Sequence, residues 1–135
     1  MVDFEGINAR KTKDAAQMIL EDYRRLRMVA RREIHQKMTV SYDSQPGSTA
    51  DTTPLIEKKV VAKVYAETET ERIKAAVESI PNETAREVLM EKYIRGYEKY
   101  DSECQLNLDI TPSTYNKYKA MGLLAFAWAI GCEEY

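Results

Sequence analysis

Five side chains near the C-terminal end carry the chemistry most worth weighing: Ser113, Thr114, Asn116, Lys117 and Lys119 in the run ITPSTYNKYKAMGLLAFA. They are hydroxyl, amide and amine groups, the types that reach phosphate oxygens and base edges in double-stranded DNA. Asn116 has the donor–acceptor pair that reads adenine, worth about 1–3 kcal/mol of discrimination. Lys117 and Lys119 suit phosphates. The apolar residues between them, Tyr115, Tyr118, Gly122, Leu123 and Phe126, recur at helical spacing and belong on the opposite, buried face.

The element that positions these groups is a helix-turn-helix spanning 101–127. A first helix starts near Asp101-Ser102 and ends near Leu108, and a turn follows at Asp109 and Ile110. Thr111 caps the second helix through its hydroxyl, and Pro112 at the first helical position loses no needed donor. The recognition helix, 111–121, then has the length to enter a major groove.

The rest of the chain reads as helix. Residues 8–37 form one amphipathic helix, with Ala15, Met18, Ile19, Tyr23, Leu26, Val29, Ala30 and Ile34 on the apolar side and arginines and lysines on the others. It reads either as a solvated helix face or as a basic arm lying on DNA or on a partner. Residues 39–54, rich in Ser, Thr, Asp, Pro and Gly, read as a flexible linker with a turn at Pro46-Gly47. Helix resumes at Leu55 or Ile56 and runs to Ser79, with a break near Glu67–Thr70. Asn82 caps a further helix from Glu83 to Arg95, closed by Gly96. The expected architecture is all-α: an N-terminal arm (1–38), a linker (39–54) and a helical domain (55–135).

Composition narrows the classes of function. A chain of 135 residues, 44% hydrophobic and 31% charged, has the make-up of a folded domain. No apolar run approaches the roughly 20 residues a membrane span needs, and the N-terminus lacks the apolar core of a signal peptide. A cytoplasmic location in its host cell is expected. Cys104 and Cys132 have no metal-ligand spacing around them, and Cys104 is expected inside the domain. His35 is the only histidine and reads as a surface residue. With no Gly-rich phosphate loop and no paired catalytic carboxylates, no enzyme activity, metal or cofactor is expected.

Charge sets the main difficulty for a DNA-binding role. The net charge is −2, with 20 Lys and Arg against 22 Asp and Glu. Residues 1–37 hold nine basic against six acidic side chains, and residues 82–135 hold six against nine. Phosphate contacts dominate non-specific affinity. A dimer, the basic arm or a host RNA polymerase partner therefore has to supplement the recognition helix. The apolar run LLAFAWAIG around Trp128 reads either as the centre of the core or as an oligomer interface; on the second reading, with the N-terminal stripe, a homodimer is expected.

The string IPNETAREVLMEKYIRG followed by SECQLNLDITPSTYNKYKAMGLLAFA resembles region 4 of bacterial sigma factors. More closely, the whole chain resembles the ArpU family of phage transcriptional regulators. Lys11-Thr12-Lys13, Tyr23-Arg24-Arg25-Leu26, Ser113-Thr114-Tyr115, Lys119 and Leu123–Ala127 carry that likeness. The resemblance implies control of late phage genes for packaging or lysis, through sequence-specific DNA binding by Ser113, Thr114, Asn116 and Lys117. Asp109 stands where the family pattern has a small residue, often glycine. Aspartate can take the left-handed turn conformation at modest cost. The alternatives are a small terminase-like packaging protein, assembled as a ring, and an interaction module that binds no DNA.

Overall fold

A computed structural model of the chain describes residues 6–34 and 46–135. It is all-α, with no strand among the described residues. The helices are α1 (Ala9–Glu21), α2 (Tyr23–Arg31), α3 (Pro46–Glu78), α4 (Glu83–Leu89), α5 (Asp101–Leu108) and α6 (Pro112–Ile130), and a π-helical turn (Met90–Ile94) follows α4 directly. Two compact units divide the chain. One runs up to Arg24 and resumes at Glu71–Tyr135; the other is Arg25–Thr70.

Helix starts match the local chemistry of the sequence. The Asn8 side chain accepts from the Lys11 amide at 3.0 Å, and Asn82 accepts from the Ala85 amide at 2.9 Å. Thr111 accepts from the Thr114 amide at 3.3 Å, with Pro112 at the first helical position. Asp109 ends α5 at φ 54°, and Gly131 ends α6 at φ 82°. Gly96, at φ 60°, follows the π-helical turn. Each of these three residues occupies the left-handed region where a chain reverses after a helix.

The expected single helix over 8–37 is two helices. It breaks at Asp22, whose amide donates to the carbonyls of Ile19 and Leu20, and α2 ends at Arg31. Residues 35–37, with His35, lie outside the described residues. The buried face also differs from the stripe read in the sequence. Thr12, Ala16, Leu20 and Tyr23 are the buried positions, whereas Met18 is 73% exposed. Apolar spacing favoured the larger side chains. The structure instead buries a small residue and a hydroxyl, which let α1 lie close against α6. Thr12 stays satisfied there: its Oγ1 accepts from the Glu134 amide at 2.9 Å and donates to the Glu134 carbonyl at 3.2 Å. Residues up to Arg24 thus group with Glu71–Tyr135 in one compact unit.

Helix occupies part of the segment 39–54 that composition assigns to a linker. Residues 39–45 lie outside the described residues, and α3 already begins at Pro46. Proline fixes φ near the helical value, so a Pro-Gly pair read as a turn can equally open a helix. Nor does α3 break near Glu67–Thr70. Thr68 and Thr70 hydroxyls donate back to the Val64 and Ala66 carbonyls at 3.1 and 2.8 Å, so both are satisfied inside the helix.

The expected helix from Glu83 to Arg95 changes pitch after Leu89. The Arg95 amide reaches back to the Met90 carbonyl at 2.8 Å, five residues earlier. Two cations hold the carbonyls at this widened end. Arg24 donates to Lys92, Arg95 and Gly96 carbonyls at 3.0, 2.9 and 3.2 Å. Lys99, only 8% exposed, donates to Glu91, Arg95 and Tyr97 carbonyls at 3.2, 2.8 and 3.3 Å. Within the Arg25–Thr70 unit, Lys63 of α3 donates to the Ala30 and Arg32 carbonyls at the end of α2, at 3.2 and 2.8 Å.

Gly122 sets how closely α6 approaches α4. A Cβ there would lie 3.0 Å from the Leu89 side chain and 3.1 Å from the Ala85 carbonyl oxygen. Gly122→Ala gains about 1 kcal/mol of helix propensity. Forcing apart two packed helices costs about 1–3 kcal/mol, so a net loss of stability is expected, measured as a lower urea midpoint with unchanged slope.

Candidate nucleic-acid interface

The site is built on α5, the 109–111 turn and α6. Val88, Cys104 and Tyr115 form its buried centre, with Leu108, Ile110 and Tyr118 packed against them. Tyr115, Gly122, Leu123 and Phe126 bury the inner face of α6, as their spacing predicted, joined by Ala127, while Tyr118 is partly buried. Cys104 is fully buried, and neither cysteine forms a disulfide.

Asp101 fixes α6 to the start of α5. Its Oδ1 accepts from the Tyr115 hydroxyl at 2.6 Å and from Lys119 Nζ at 3.2 Å, and lies 3.6 Å from Lys92 Nζ. Burial pushes the Asp101 pKa up. The Tyr115 hydrogen bond and the charges of Lys119 and Lys92 outweigh it, holding the carboxyl below its ordinary value. Burial and then Asp101 keep the Tyr115 hydroxyl protonated, with its pKa raised. The Lys119 ammonium also sits over the Tyr115 and Tyr93 rings, 5.9 and 6.0 Å from their centroids.

This node sorts the five candidate residues. Ser113, Asn116 and Lys117 are exposed together on the outer face of α6. The Lys117 ammonium lies 5.5 Å from the Tyr118 ring centroid. Thr114 is half-buried, and its hydroxyl accepts from Thr111 Oγ1 at 2.8 Å. Lys119 is apart from the others: its side chain is 16% exposed and paired with Asp101. Sequence spacing alone did not reveal this, because Asp101 lies 18 positions away. Beyond the polar residues, the same face of α6 continues with Met121, 39% exposed, and Trp128, 46% exposed.

The outer face thus offers a hydroxyl, an amide and an ammonium on the first two turns of a 19-residue helix. Its N-terminal backbone amides favour phosphate oxygens. No three-residue cluster able to hold a metal ion exists among the described residues, and none of their helices is long and apolar enough to cross a membrane. No family model, curated protein or solved structure matches the chain.

Asp101→Asn keeps an acceptor for Tyr115 and removes the charge that holds Lys119 and Lys92. The pairs are half-exposed, so the expected loss at pH 7 is about 1 kcal/mol or less. A carboxyl with a depressed folded pKa stabilises above its unfolded pKa, about 3.9. That contribution disappears as pH falls through the folded value. Urea titrations of the two proteins should therefore differ at pH 7 and converge as pH falls through the lowered folded pKa of Asp101. Parallel curves across that range would disprove the ionic role of Asp101.

Proposed function

We propose that the protein is a sequence-specific, DNA-binding transcriptional regulator, with the N-terminal turns of α6 in the major groove. The observation that carries this reading is the joint exposure of Ser113, Asn116 and Lys117 at the start of a capped, braced helix. Asn116 reads a base edge and Lys117 holds a phosphate. Lys119 serves by orienting α6 through Asp101. The resemblance to sigma region 4 and to the ArpU family supports the same reading and suggests late phage genes as the targets.

Partner requirements follow from charge. Several cations near the unit's surface are committed to carbonyls or to Asp101, so one copy offers few phosphate contacts. A homodimer places two recognition helices on a two-fold site about one helical turn apart and doubles those contacts. The exposure of Met121 and Trp128 on α6 supports such pairing, and host RNA polymerase is the alternative cover for that surface.

Selection of genomic fragments by purified protein at about 50 and 200 mM salt tests this directly. One enriched site is expected near late phage genes. Asn116→Ala should relax preference at one base pair by about 1–3 kcal/mol. Lys117→Ala should weaken all sites alike and lower the salt slope by about one. No enrichment even at the lower salt would refute the DNA reading and favour a module that binds protein alone.

A further inference from the structure

Apolar packing anchors α5 at one point. Cys104 is its one buried residue, and Leu106 is 81% exposed. A short helix pinned at a single place can tilt about it, and α5 leads through residues 109–111 directly into α6. Polar contacts from the π-helical turn remove that freedom. Hydrogen bonding to a carbonyl five residues back widens the turn, and two adjacent residues reach α5 from it. Lys92 Nζ lies 3.6 Å from Asp101 Oδ1, at the first residue of α5. Glu91 Oε1 accepts from Asn107 Nδ2 at 3.1 Å, near the last. The two grips are about 9 Å apart along the helix axis, which is enough to fix a direction.

The Glu91 carboxylate is itself held. Its side chain is 13% exposed, with Lys99 Nζ 3.6 Å from Oε1 and Arg95 Nη1 3.9 Å from Oε2. The Lys99 ammonium is tied in turn to the Glu91, Arg95 and Tyr97 carbonyls. Asn107, on the exposed side of α5, therefore docks on an acceptor that is already in place.

We propose, resting on the DNA-binding reading above, that Glu91 is a positioning residue for sequence recognition. Through Asn107 it sets the direction of α5, and with it the angle at which α6 presents Ser113, Asn116 and Lys117. An error of angle takes Asn116 off a base edge, where paired hydrogen bonds demand exact aim. Lys117, a point charge on a flexible stem, still finds a phosphate. Loss of the grip costs discrimination and spares general affinity.

Binding of the full chain to its selected site and to a scrambled duplex, each at about 50 and 200 mM salt, tests the proposal. Asn107→Ala and Glu91→Ala should each lower the ratio of the two affinities about 3- to 10-fold, with the scrambled duplex and the salt slope unchanged. The double variant should lose no more than either single one, because the two side chains act as one contact. Glu91→Gln keeps an acceptor for Asn107 and should retain most of the ratio. Equal loss on both duplexes, additive losses or an unaltered ratio would overturn the proposal. A loss confined to Asn107→Ala would mark a direct DNA contact and overturn it as well. Amide exchange without DNA separates this failure from failure of the DNA reading. The Ile110 amide, which donates to the Gln105 carbonyl at 3.1 Å, should exchange about 3- to 10-fold faster in Asn107→Ala. An unchanged rate sinks the grip whether or not the wild-type protein selects DNA, whereas faster exchange with no selection sinks its role in recognition.

Discussion

Every helix leaves its last carbonyls without an intrahelical donor, and meeting that requirement organises this protein. The helices rarely supply the donors themselves; α6, for example, has no basic residue in its last turn. Cations come instead from other segments. Arg24 and Lys99 close the π-helical end after α4, Arg72 donates to the Ile130 carbonyl at 3.1 Å, and Arg86 donates to the Ile80 carbonyl at 3.0 Å. Lys63 does the same for α2. A positive charge at a helix C-terminus also complements the macrodipole. Each contact joins two elements while it satisfies a backbone group, so capping and tertiary assembly are the same event.

The consequence for the surface is as large as for the fold. Basic side chains turned onto carbonyls are unavailable to a phosphate backbone, and the unit stays acidic where a nucleic-acid binder is ordinarily basic. Orientation is then what α6 offers to the proposed DNA-binding role. Asp101 gathers Tyr115, Lys119 and Lys92 at one carboxylate, so α6 is held against α5 by a directional contact as well as by the packing around Cys104. A rigidly presented face suits a reader of base edges, in which discrimination depends on where a side chain is aimed.

Legibility in the sequence follows the range of the interaction. Features set within four residues were readable: the Asn82 and Thr111 caps, Pro112, the left-handed Asp109, and the period that buries Tyr115, Leu123 and Phe126. Features set by distant partners were not. Arg24 looked like one more exposed arginine because its carbonyl partners lie about 70 positions away. Lys119 resembled a phosphate ligand for the same reason. The rotation of α1, burying Thr12 in place of Met18, depends on a backbone pair at Glu134 that no local period can announce. The break at Asp22 and the start of α3 at Pro46 show a different limit, where a residue tolerates two backbone states and its context chooses.

The pairing of Thr12 and Asn8 with Glu134 has a consequence for how the molecule is made. The Asn8 amide donates to the Glu134 carbonyl at 2.8 Å, so the first and last helices of the unit are stitched together across 122 positions or more. During translation α1 emerges before α6, and Thr12 and Ala16 stay uncovered until α6 and Glu134 have followed it. The Arg25–Thr70 unit, whose contacts are closer in sequence, can settle in that interval. Closure of the C-terminal unit therefore waits for Glu134, and a nascent chain stalled before that residue presents an open helix face to chaperones.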